Sequence, residues 1–300
     1  MTFETDRTSG SSGVALGFLD ALERWAETDT SRTSPALRVA LLEWLRVAQA
    51  AQPSMALLHQ FAARALEVAG SAASREDSAA EARTSLVLSI ASERSDLATQ
   101  QHAVAQPAAG LITERESWIA TLSASAAVRE AFEIAHQAGR APRALIAESR
   151  PLLEGRDLAA MLAAAGIPGW LVVDAALPML LTGASIAWIG ADAVTDRGVI
   201  NKVGSFALAL AAREHSVPVY ALAMRRKFLP ASTAALKIVE MSPDEVWREA
   251  PPGVRPRNVG FELVPLELFR GIVVEDSVLG ASEARTVALD RALPEELAGG

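Results

Sequence analysis

Apolar residues recur at three- and four-residue spacing through the first hundred positions, and in short runs after that. Val14, Phe18, Leu22 and Trp25 form one such stripe and predict a helix over 14–25. Similar stripes in alanine-rich sequence predict helices over 36–47 and 55–68. Gln52-Pro53-Ser54 separates the second from the third, and the small residues of 70–74 end the third. Positions 75–102 carry mixed charges and predict one long amphipathic helix. Gln106-Pro107-Ala108-Ala109-Gly110 reads as a boundary.

Beyond that point the pattern changes. Strands are predicted over 117–122, 144–147, 170–173, 186–189 and 219–223, alternating with helices over 126–138, 158–165, 175–181 and 206–214. Strand–helix alternation with connections this short predicts an α/β fold, its parallel sheet covered on both faces. Ligands of such sheets bind beyond the carboxyl ends of the strands. The most apolar stretch, 167–189, is broken by Pro168, Gly169, Asp174, Pro178 and Gly183. That suits buried elements joined by a turn rather than a membrane span. The N-terminus is polar and lacks the apolar core of a signal peptide, so the expected location is cytoplasmic.

Composition narrows the chemistry. The 300 residues are half hydrophobic and 21% charged, with 28 Lys and Arg against 36 Asp and Glu, a net charge of −8. A negative chain is a poor general binder of nucleic acid or anionic membrane, although a local basic pocket remains open to it. There is no cysteine, which removes disulfides, thiolate metal sites and thiol catalysis together. His59, His102, His136 and His215 show no metal spacing, and no metal is expected. Neither a Walker motif nor a dinucleotide fingerprint is present, and no cofactor is implied.

Three turns hold the candidate residues. Gly190, Asp192, Asn201 and Lys202 lie between a predicted strand and a helix starting near Ser205, where a lysine and free helix-start amides suit phosphate. The competing reading is that Asp192 caps a turn and Lys202 is solvated. Arg150 follows the strand over 144–147, placed either to clamp phosphate or to pair with Glu148 on the surface. Ser123 and Ser125 follow the strand over 117–122, as helix caps or phosphate ligands.

In this order the turns resemble the family that unites aldose-phosphate isomerases with subunits of translation initiation factor 2B. The motifs that carry the resemblance are Gly190-Ala191-Asp192, Asn201-Lys202-Val203-Gly204-Ser205, Glu148-Ser149-Arg150-Pro151 through Gly155, and Lys227-Phe228. Asn258 to Glu262 and Pro265-Leu266-Glu267 extend it towards the C-terminus. The resemblance implies an all-helical N-terminal domain over 1–110 and a Rossmann-like ligand-binding domain over 111–300. It also implies a phosphosugar or nucleotide pocket and a homodimer or larger assembly. Arg150, Asp192, Asn201, Lys202 and Lys227 match positions that hold ligand in the isomerases, and Asp192 matches their catalytic acid.

The departures bear on activity. Isomerases of this family carry a cysteine where Leu122 stands here, between Thr121 and Ser123. Ser9-Gly10-Ser11 stands for their Arg-Gly-Ala turn, with Arg7 close by, and Gln52 replaces an arginine. A leucine cannot act as a base, and no partner that would activate Ser123 is visible. The expectation is therefore a protein similar to the alpha-type subunit that binds a sugar phosphate or nucleoside monophosphate. The alternative is an active aldose–ketose isomerase that uses Asp192 by a non-thiol route.

Overall fold

A computed structural model describes residues 2–6 and 8–298; Arg7 lies outside them. Four helices come first: α1 (Gly10–Thr28), α2 (Ser34–Ala51), α3 (Ala56–Ser74) and α4 (Ala79–Gly110). Next come β1 (Trp118–Leu122), α5 (Ala126–Gln137), β2 (Arg143–Ala147), α6 (Glu154–Ala164), β3 (Gly169–Val172), α7 (Leu177–Leu180) and β4 (Ile186–Ile189). The short β5 (Ala193–Val194) precedes β6 (Gly198–Lys202), α8 (Ser205–Glu214), β7 (Val219–Leu222) and α9 (Asp244–Trp247). The chain closes with β8 (Phe261–Pro265), β9 (Gly271–Val273), β10 (Val278–Leu279), α10 (Ala281–Leu289) and α11 (Glu295–Ala298).

Two helix boundaries differ from expectation. The small residues of 70–74 are themselves the last turn of α3, because Ala69 and Ala72 are buried and packing holds the helix through them. It ends at Ser74, and four residues later Ser78 and Glu81 form a reciprocal capping box that starts α4. The Gln106–Gly110 stretch is also helical. Pro107 removes one backbone donor there, but Val104, Ala105, Ala108 and Ala109 are all buried and keep the last turns in place.

Among the described residues the main sheet has seven strands in the order β10-β9-β7-β4-β1-β2-β3. All pair in parallel except β10, which is antiparallel to β9. The fold is thus a helical N-terminal region followed by a Rossmann-like, mostly parallel sheet. Side chains alternate across it. Ile119, Ile146, Ile186 and Trp188 face the layer built from α1 to α5, and Ala120, Leu145, Ala187 and Ile189 face the layer with α8 and α10. Phe132 of α5 meets Trp188 of β4 edge to face, with centroids 5.3 Å apart.

Strand order reverses between β1 and β4. The chain leaves β1 towards β2 on one side, and from β4 it continues to β7 on the other. That reversal opens a crevice at the carboxyl ends of the two strands. A second sheet, β5-β6-β8, is antiparallel and lies beside the crevice. None of its strands is visible in the hydropathy pattern, because all five residues of β6 are buried without alternation.

A candidate ligand-binding cleft at the β1–β4 switch point

The cleft at this reversal holds about 50 Å³ of space open to a water-sized sphere. It gathers Ser123 and Ser125 after β1, Gly190 and Asp192 after β4, Asn201 and Lys202 from β6, and Lys227 after β7. Ser9 to Ser12, at the start of α1, close it from the helical side, and Met55 and Glu154 also line it. The amino ends of α1 and α5 both lie at this cleft, and each brings the positive end of a helix dipole. Leu122, where the resemblance places the isomerase thiol, lines the same space.

Close approach is built into the backbone. Gly190 sits where an added Cβ would lie 2.7 Å from Ser125 Oγ and 2.8 Å from Ser125 Cβ, so only glycine lets the β1 and β4 turns meet. Gly10 adopts a φ of +58°, and a side chain there would stand 2.7 Å from the Ala124 carbonyl oxygen. The α1 start is thereby seated against the β1–α5 turn.

The charged side chains are buried, not solvated. Lys227 donates from Nζ to Ser11 Oγ at 2.7 Å and to the Ala191 carbonyl at 2.6 Å. Burial pushes its ammonium down to about 8, and the nearby Asp192 charge opposes that shift. Burial pushes the Asp192 carboxyl up to about 6. The Lys227 and Lys202 charges and the Ser11 hydroxyl oppose this, and the Glu154 carboxylate reinforces it. Lys202 pairs with Glu154 Oε1 at 2.5 Å and lies 5.4 Å from the Phe261 ring centroid. Asn201 donates from Nδ2 to Ser205 Oγ at 2.8 Å.

Two expected groups lie outside this lining. The first turn of α8 is not a free anion site, because Glu262 Oε1 accepts from the Gly204 and Phe206 amides, each at 2.8 Å. The amino ends at the cleft belong to α1 and α5 instead. Arg150 does not join the cleft either. Asp174 accepts from the Ser149 and Arg150 backbone amides at 2.7 and 2.8 Å, and this fixes the turn with the arginine outward. Its exposed guanidinium donates to the Val246 carbonyl at 3.3 Å. Glu148 pairs with Arg156, not with Arg150.

The model of the initiation factor 2 subunit family matches residues 7–280. The chain belongs to that family. It is 36% identical over 162 residues to a translation initiation factor eIF-2B subunit 2-like protein of Pyrococcus furiosus, covering 54% of this chain and 57% of that one. A methylthioribose-1-phosphate isomerase of Cronobacter sakazakii is 33% identical over 162 residues, covering 48% and 47%. The chain spans about half the length of the curated relatives it matches. Among solved structures, the translation initiation factor eIF-2B of Pyrococcus horikoshii superposes with a TM-score of 0.78 at 27% identity, covering 92% of this chain and 94% of that one.

Sequence reasoning missed two contributors to this family member's cleft. Ser11 stands in a turn that reads as altered, and its hydroxyl holds Lys227. Glu154 lies inside the Glu148–Gly155 motif, but a carboxylate one residue before a glycine gives no sign that it will pair with Lys202, 48 positions away.

Proposed function

We propose that the cleft binds a small phosphorylated ligand, a sugar phosphate or nucleoside monophosphate, and that the protein is a binding member of the family similar to the alpha-type initiation factor 2B subunit. One observation carries this reading. Two helix amino ends and Lys227 converge on one crevice at the sheet's switch point, an arrangement suited to a phosphate group. Ser123 and Ser125 add hydroxyl donors, and Asp192 and Asn201 face the part of the ligand that bears hydroxyls. Residues 1–110 and 111–300 then act as two domains that close on the ligand. The expected location is cytoplasmic, and no nucleic acid is bound directly.

Titration calorimetry with ribose 5-phosphate, adenosine monophosphate and inorganic phosphate tests this. Binding of at least one ester more tightly than inorganic phosphate is expected. Silence from all three overturns the reading.

A second reading, an aldose–ketose isomerase acting on a sugar phosphate without a thiol, draws on the Asp192 carboxyl near 6 beside an ammonium near 8. Groups titrating this close to neutrality can exchange protons with a substrate. A coupled assay for ketose formation separates the two readings, and activity that survives Asp192→Asn would sink this one. The protein is also proposed to self-associate. Trp170 and Leu171 on the open edge strand β3 are both exposed. Trp170 packs on Trp118 with centroids 4.3 Å apart, yet still offers apolar surface on a sheet edge for a second copy to cover. A monomer in light scattering would contradict that.

A further inference from the structure

Among the described residues lining the cleft, Glu154 holds a buried polar atom with no hydrogen-bond partner. Glu154 is the first residue of α6 and is 2% exposed. Its Oε1 is taken by Lys202, while Oε2 is shielded from water and accepts nothing. A buried acceptor in that state costs stability that a donor would restore. Since the residue lines the ligand cleft, the missing donor is supplied most simply by a ligand.

The same carboxylate sets the charge of its side of the cleft. The two lysines differ in their partners. Lys227 rests on a hydroxyl and a carbonyl, both neutral, with Asp192 near enough to influence it. Lys202 is in direct contact with a carboxylate and is covered by the Phe261 ring. A phosphate brought to Lys202 would therefore meet Glu154 as a like charge in a poorly solvated space.

We infer that Glu154 is a specificity determinant: through the Lys202 pair and the unpartnered Oε2 it selects a monophosphate ester with a hydroxyl or amine donor on that side, and rejects a ligand with a second phosphate there. The phosphate sits on the Lys227 side, and the donor satisfies Oε2. This rests on the reading of the cleft as a phosphate-ligand site.

Calorimetry on the whole chain tests it with three probes: ribose 5-phosphate, methyl phosphate, which has no hydroxyl, and ribose 1,5-bisphosphate. Ribose 5-phosphate is expected to bind about tenfold more tightly than either of the others. Glu154→Gln frees the Lys202 charge, and is expected to raise bisphosphate affinity about tenfold while lowering that for ribose 5-phosphate. The double variant Glu154→Gln/Lys202→Gln removes both charges, so it should fold without an unpaired lysine and lose the gain. Bisphosphate binding to the unaltered protein as tightly as ribose 5-phosphate overturns the role of Glu154 alone, whether or not the variants fold. So does an unchanged preference in Glu154→Gln. Failure of every phosphate to bind overturns the reading of the site as well.

Discussion

The two lysines that line the cleft are held by different physics. Lys202 stands at the end of β6 and touches the Glu154 carboxylate at 2.5 Å, so its charge is answered at contact. Lys227 follows β7 and, among the described residues, donates to Ser11 and the Ala191 carbonyl, with the Asp192 charge nearby. An ion pair at contact in a buried site is a closed unit, costly to open because either half alone is an unpaired charge. A lysine on neutral acceptors can exchange them for phosphate oxygens with little loss. On the proposed reading, the Lys227 wall receives the anion and the Lys202 wall shapes what else enters.

Breaking the Lys227 wall has the largest expected effect. Lys227→Met should weaken ribose 5-phosphate binding about 100-fold, the worth of one or two charge-assisted bonds. Calorimetry measures it, and a loss below tenfold would move the anion to the other wall. The fold should tolerate this change better at pH 5.5 than at pH 8, since Asp192 holds its proton more fully at the lower value and then leaves no bare charge.

The same pair gives a stability profile with a defined sign. Asp192 titrates near 6 when folded and near 3.8 when unfolded, so the folded state binds more protons between these values. Stability from this group is full at low pH and is lost as pH rises towards 6, by about 3 kcal/mol in all. Lys227 titrates near 8 folded and 10.5 unfolded, so the unfolded chain binds more protons in that window and stability rises with pH across it. Denaturant melts between pH 4 and 10 should show a shallow trough from 6 to 8. Asp192→Asn should flatten the acid limb, and a limb left unchanged would contradict the assignment.

The residues of the cleft also differ in how far they were legible in the chain. Asp192, Asn201 and Lys202 fall within eleven positions, and a strand-to-helix turn with that composition announces a site. Lys227 was reached through the family resemblance alone, and Ser11 and Glu154 were not reached, because what brings these distant segments together is the reversal of strand order between β1 and β4. Parallel-sheet character could be read from short apolar runs alternating with helices. The second sheet could not, because β6 is buried on both faces and β5 has only two residues. Helix ends were missed where packing outweighed propensity, as at Ala69, Ala72 and Pro107. The arginine of the Glu148–Gly155 turn was misplaced for a different reason: Asp174 turns its backbone, and nothing local to Arg150 reveals that.

Gly190 seats the β4 turn against the β1 turn in the cleft that both lysines line, and Gly190→Ala pushes the two turns apart. Its Cβ would overlap Ser125, so the β1 and β4 turns must separate, at a cost of about 1–3 kcal/mol in stability. Affinity for ribose 5-phosphate should fall about tenfold. A variant that melts and binds like the parent would mean that the turns have room to spare.

Arg150 supplies the smallest effect and the cleanest control. Family resemblance puts it among ligand-holding positions, while the fold turns it to solvent and gives its guanidinium a carbonyl at 3.3 Å. An exposed bond of that length contributes little, and no side chain of either wall depends on it. Arg150→Ala should therefore change ribose 5-phosphate affinity less than about twofold, within the usual scatter for a surface substitution. A loss near that of Lys227→Met would instead require the 148–153 turn to swing inward when ligand binds. Asp174→Ala separates the cases. It releases the turn from its anchor, so it should raise affinity if the arginine moves in, and leave affinity unchanged if two buried walls suffice.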